Sequence, residues 1–87
     1  MDYKKGTLFI VGTSIGNLSD ITFRAITILQ HVDYILAEDT RVTHKLLSHY
    51  QIKKPIIRCD EYAKLSLFKD IENDLKKDKS IAYVSDA

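Results

Sequence analysis

The chain is poor in cysteine, proline and glycine, with one, one and three of them in 87 residues. A single thiol, Cys59, closes no internal disulfide, so the stapled framework of a small secreted domain is excluded. So little glycine and proline leaves no linker rich in Gly, Pro or Ser and no low-complexity tract. No apolar run approaches the roughly 20 residues that span a bilayer. Charge of one sign is not in excess either. Thirteen Lys plus Arg against twelve Asp plus Glu give a formal charge of +1, without the basic surplus of a dedicated nucleic-acid module, although nucleic-acid contact is not excluded. MDYKK at the start is charged, and Gly6-Thr7 lead from it into a strand-like run rather than the apolar core of a signal peptide. These shortages lead to the expectation of a cytoplasmic location.

What is present is a chain 45% hydrophobic and 29% charged, enough for the core of one globular unit. At this length only roughly 60–65% of the unfolded surface is buried, so the core is expected to be thin. Two periodicities alternate. Leu8 to Val11, Tyr34 to Ala37, Ile56 to Cys59 and Ile81 to Val84 are the short apolar runs that parallel strands covered on both faces require. Between them lie helical stripes: Ile21, Ala25, Ile28, Leu29 and Val32 behind Asp20 as N-cap; Val42, Leu46, Leu47 and Tyr50; and Leu67, Phe68, Ile71 and Leu75 behind Ser66. Strand and helix alternating three times before a fourth strand predict one α/β domain over residues 1–87. It is an open parallel sheet of four strands, with helices near 21–31, 41–50 and 66–77 as crossovers.

Open α/β sheets bind ligands outside the carboxyl ends of their strands. The residues that follow the four strands here are Gly12-Thr13-Ser14-Ile15-Gly16-Asn17, Glu38-Asp39-Thr40-Arg41, Asp60-Glu61-Tyr62 and Ser85-Asp86-Ala87. All are polar or glycine-bearing. The glycine loop has neither the Lys of GxxxxGK[ST] nor the spacing of GxGxxG, which argues against either nucleotide-binding device and leaves a plain tight turn as the competing reading. Glu38 offers an acid or base, whereas Asp39, just before a helix, reads as its cap. Arg41 offers a bidentate phosphate contact. In the first turn of a helix it opposes the macrodipole, so it is expected to be held by Glu38 or by a partner.

Elsewhere the simpler readings prevail. His31, His44 and His49 show no helical spacing of three or four, which argues for solvated histidines and against a metal site. Cys59 has no neighbouring His to activate it and reads as a small buried hydrophobe. The five tyrosines are scattered rather than gathered into a stacking platform, and read as packing residues.

GTLFIVGTSIGNLSDITFRA, VDYILAEDTRVTHKLLSHYQI and SIAYVSDA together resemble the N-terminal part of the tetrapyrrole methylase superfamily, in its branch of small-subunit ribosomal RNA ribose 2′-O-methyltransferases. GTSIGNLSDIT and AEDTR are the most specific pieces. The resemblance implies S-adenosylmethionine as cofactor, a cytidine ribose in ribosomal RNA as substrate, and a homo-oligomer. It places Gly12, Thr13, Ser14, Gly16, Asn17, Asp39 and Arg41 toward the substrate, with Arg41 on an RNA phosphate. Ser85, Asp86 and Ala87 fall at the edge of a cofactor pocket shared with a second domain, and Glu38 is the one proton acceptor to name. No metal is implied.

The chain departs from the family where Ser14 replaces the usual Pro and where Cys59 to Lys64 replaces a stretch containing His and Asn. Family members continue beyond SDA into GTP and a second domain, so the 87 residues alone are expected to be inactive. Three alternatives stand beside this reading. They are a tetrapyrrole methyltransferase of the same superfamily, a non-catalytic interaction domain, and a receiver-type module. The last lacks the acidic pair it needs after the first strand, since no acid precedes Asp20 there.

Overall fold

The computed structural model describes residues 5–13, 21–59 and 64–86. Four strands, β1 (Leu8–Thr13), β2 (Tyr34–Ala37), β3 (Ile56–Arg58) and β4 (Ile81–Asp86), alternate with three helices, α1 (Phe23–His31), α2 (Thr40–His49) and α3 (Lys64–Lys76). The strands form one sheet in the order β1-β4-β2-β3, and every pairing is parallel. The open parallel α/β sheet expected from the alternating periodicity is the observed architecture.

Strand order divides the helices between the faces. From β1 through β2 to β3 the chain crosses the sheet in one direction, and from β3 it turns back to β4. Crossovers of one hand therefore lay α1 and α2 on one face and α3 on the other. The apolar clusters divide the same way. Ala25, Ile28, Leu29, Leu46 and Leu47 of the first two helices meet Val11, Ile35, Ala82 and Val84, while Ile71 of α3 meets Leu36, Ile81 and Cys59. Alternation along each strand sends successive side chains to opposite faces, so Ile35 and Leu36 are both buried in different clusters. Ile35 of β2 and Ile81 and Ala82 of β4 are fully buried, as are Leu29 of α1 and Val32 just after it.

Helix starts correct two expectations. Helix α1 begins at Phe23, and its N-cap is Thr22, whose Oγ1 accepts from Ala25 N at 3.1 Å, rather than Asp20, which lies outside the described residues. Helix α3 already begins at Lys64, so Ser66 sits within the first turn and is not the cap. Asp39 caps α2 as expected, accepting from Arg41 N at 3.0 Å. Within α2, Thr43 takes the inward position next to Leu46 and Leu47, and Val42 is exposed. The Thr43 hydroxyl is satisfied by donating to the Asp39 carbonyl at 3.3 Å, which lets a polar side chain sit inside.

The amino end of the sheet is closed by a pair of hydrogen bonds. Asp33 N donates to Ser80 O and Ser80 N donates to Asp33 Oδ2, each at 2.8 Å, tying the start of β2 to that of β4. Gly6 has φ +69°, and a Cβ there would stand 2.5 Å from the Leu75 carbonyl oxygen, so glycine is required for β1 to enter past the end of α3.

Candidate active site

Parallel pairing brings the strand ends to one edge. Register sets Gly12 beside Ser85 and Thr13 beside Asp86, and sets Ala37 beside both Val84 and Arg58, so Glu38 emerges next to the end of β4. Of the residues expected at the site, Gly12, Thr13, Glu38, Asp39, Arg41, Ser85 and Asp86 thus share the carboxyl edge of the sheet. Ser14, Gly16, Asn17 and Ala87 lie outside the described residues.

Gly12 differs from Gly6 in what it leaves open. A Cβ at Gly12 would meet nothing within 4 Å among the described residues, and the backbone there is not left-handed. Neither strain nor local packing calls for glycine, and its effect is open space beside Ser85.

A second opening lies between β2 and β3. After β2 the chain leaves toward α2 on one face, and after β3 toward α3 on the other, which is the divergence that opens a crevice at strand ends. A cavity of about 390 Å³ occupies that place, lined by Glu38, Asp39, Thr40, Arg41 and Arg58. Asp39 and Arg41 at the amino end of α2, Glu38 after β2 and Arg58 at the end of β3 bring two carboxylates and two guanidinium groups to it, which makes this a charged, hydrogen-bonding cavity. Arg41 is held by Asp39, Nε to Oδ1 at 3.6 Å, and not by Glu38 as expected; with Arg41 almost fully exposed, this pair adds little stability.

Glu38 is engaged from the other side. Tyr83 Oη donates to Glu38 Oε1 at 2.6 Å. That bond, then burial, then the neighbouring negative charge push the Tyr83 phenol up to about 12, so it remains a donor across the physiological range. The ring of Tyr83 stands with Leu8, Ile10, Leu36, Cys59, Phe68 and Ile71 around an apolar cavity of about 290 Å³ on the α3 face. Tyr83 therefore joins an apolar trough to the charged edge.

Two residues here escaped the sequence reading. Tyr83 reads in the sequence only as packing, although its hydroxyl is an unusual group in the otherwise apolar run IAYV. Arg58 closes an apolar strand with a charge at its carboxyl end, the one local sign that this position faces a polar cavity. Cys59 is buried, as expected, with its N–H donating to Ala37 O at 2.9 Å. His31 and His49 are exposed and lie edge-on to Phe9 and Tyr50. No helix among the described residues is long and apolar enough to cross a membrane.

Comparison with known proteins aligns residues 7–86 with the family described as Tetrapyrrole (Corrin/Porphyrin) Methylases. Three relatives share the name ribosomal RNA small subunit methyltransferase I. The protein from Thermotoga maritima is 54% identical over 82 residues, 94% of this chain and 37% of its own length. That from Bacillus subtilis is 51% identical over 82 residues, 94% of this chain and 28% of its own length. That from Halalkalibacterium halodurans is 49% identical over 83 residues, 95% and 29% of the two lengths. The chain thus spans about a third of the curated relatives it matches.

Proposed function

We propose that this chain, which belongs to the tetrapyrrole (corrin/porphyrin) methylase family, is the N-terminal α/β domain of an S-adenosylmethionine-dependent enzyme that methylates the 2′ hydroxyl of a cytidine ribose in small-subunit ribosomal RNA. The observation that carries this reading is the near 50% identity to ribosomal RNA methyltransferases over almost the whole chain. The convergence of Gly12, Ser85 and Glu38 on one edge adds to it. Ribosomal RNA as substrate would place the enzyme in the cytoplasm.

The residues present fit one side of a cofactor site. Among the described residues Gly12 leaves open space at the strand end, and Ser85 stands in register beside it. Ser85 and Asp86 would meet the cofactor's edge, with Gly12 leaving room for substrate beside them and the remaining walls supplied by a second domain and a second subunit. Bound S-adenosylmethionine would supply an electrophilic methyl group. The chain's own part is alignment and proton management: Glu38 takes the proton of the ribose hydroxyl as that oxygen attacks. Arg41 and Arg58, on the 390 Å³ cavity, hold RNA phosphates. Asp39 keeps α2 in place as its cap.

The test is to incubate the full-length protein containing this chain with small-subunit RNA and labelled S-adenosylmethionine, then digest to nucleosides. 2′-O-methylcytidine is the expected product; a base-methylated nucleoside, or transfer to a porphyrinoid instead, would replace this reading. Calorimetry on the 87-residue chain should show weak cofactor binding, and tight binding would relocate the whole pocket to this domain.

A further inference from the structure

We propose that Tyr83 is the positioning residue for Glu38, holding its carboxylate at the mouth of the crevice in the orientation proton transfer needs; this rests on the reading of Glu38 as proton acceptor. The placement follows from register. Tyr83 pairs with Leu36, two residues before Glu38, and residues two apart on a strand share a face. A phenol rising from β4 beside Leu36 therefore reaches along β2 to the carboxylate, and the bond closes at 2.6 Å.

Glu38 is exposed and carries three rotatable bonds, so a short hydrogen bond to a fixed donor narrows the rotamers its carboxylate samples. Tyr83 is suited to restrain it. Its ring has only two torsions and sits among Leu36, Cys59 and Ile71 in the apolar trough. The bond is to a charged acceptor and is correspondingly short. Because the phenol keeps its proton well above neutrality, the restraint persists wherever Glu38 is ionised. The apolar trough thereby acquires a task at the charged edge: it anchors the ring that aims the carboxylate.

The experiment compares Tyr83→Phe, Glu38→Gln and the double variant in the full-length protein. Tyr83→Phe should lower kcat about tenfold while KM for RNA and for S-adenosylmethionine stays within about twofold, as expected when geometry rather than binding is lost. The double variant should be no slower than Glu38→Gln alone. At neutral pH the ¹³C resonance of Tyr83 Cζ should move in Glu38→Ala, reporting the lost bond without any turnover. Unchanged kcat in Tyr83→Phe with a slow Glu38→Gln would overturn the positioning role alone, as would multiplicative losses or a stationary Cζ resonance. Full activity in Glu38→Gln would overturn the proton-acceptor reading and the positioning role with it.

Discussion

The two faces of the sheet are built to different standards. Against α1 and α2 lies a continuous cluster running from Val11 through Leu29 and Ile35 to Val84. Against α3, among the described residues, only Leu36, Cys59, Ile71 and Ile81 are buried, while Leu8 is 41%, Ile10 69% and Phe68 56% exposed. One helix cannot cover a four-stranded sheet. The closed face is where burial holds the fold, and the open face is where Tyr83 reaches the charged edge. Stability and the proposed chemistry therefore reside largely on opposite sides of the same strands.

The sharpest way to break this comparison is to cut into each side. Leu29→Ala removes a side chain with no exposed surface and should lose about 2–5 kcal/mol, a large part of the ~5–15 kcal/mol typical of a folded domain. Urea denaturation followed by circular dichroism measures it. A loss below about 1 kcal/mol would mean that the closed face is not the principal core.

Alkaline unfolding sharpens the contrast, because both tyrosines with strongly raised phenols, Tyr34 and Tyr83, belong to the α3 face. Burial and the bond from Tyr34 Oη to Asp74 Oδ2, 2.7 Å, raise the first; the Glu38 bond raises the second to about 12. A folded-state value above the ordinary 10 means the unfolded chain releases its proton first. The stabilisation is therefore complete below pH ~10 and is lost as pH rises toward 12 and beyond. Stability should fall with pH in that window, less steeply in Tyr34→Phe and Tyr83→Phe; equal slopes in wild type and both variants would contradict the assignment.

The smallest effect is expected on the open side. Ile10→Thr keeps β-branching on an exposed strand position and should change stability by no more than about 0.5 kcal/mol, while lowering self-association if the exposed Leu8, Ile10 and Phe68 drive it. Sedimentation velocity together with denaturation separates the two effects. A penalty as large as that of Leu29→Ala would show that this face is covered in the working protein.

Much of the fold was legible because it is written locally. The runs at Tyr34 and Ile81 open strands at those residues, and Asp39 caps α2, since a short continuous apolar run and a carboxylate before a helix act within a few residues. The errors have physical causes. Val42 lies at the margin of the α2 stripe, and Phe68 lines the open apolar trough beside Leu8 and Ile10, so both stay exposed although each fits its helical stripe. Thr22 outcompetes Asp20 because it stands directly before the first helical residue. Of the two carboxylates within reach of Arg41 in sequence, geometry brings Asp39 and not Glu38 to it, which no local spacing decides. Tyr83 was missed for a different reason. Its partner is 45 residues away, a distance that no local spacing encodes, and only the pairing of β4 with β2 brings them together.

The decisive comparison is between two neighbouring carboxylates at the edge of the sheet, Glu38 and Asp39. In single-turnover methyl transfer by the full-length protein, Glu38→Gln should slow the step by about 100-fold or more, whereas Asp39→Asn keeps an oxygen for Arg41 N and should slow it only a few-fold. Equal and negligible losses in the two variants would remove Glu38, and with it this edge of the sheet, from the chemistry.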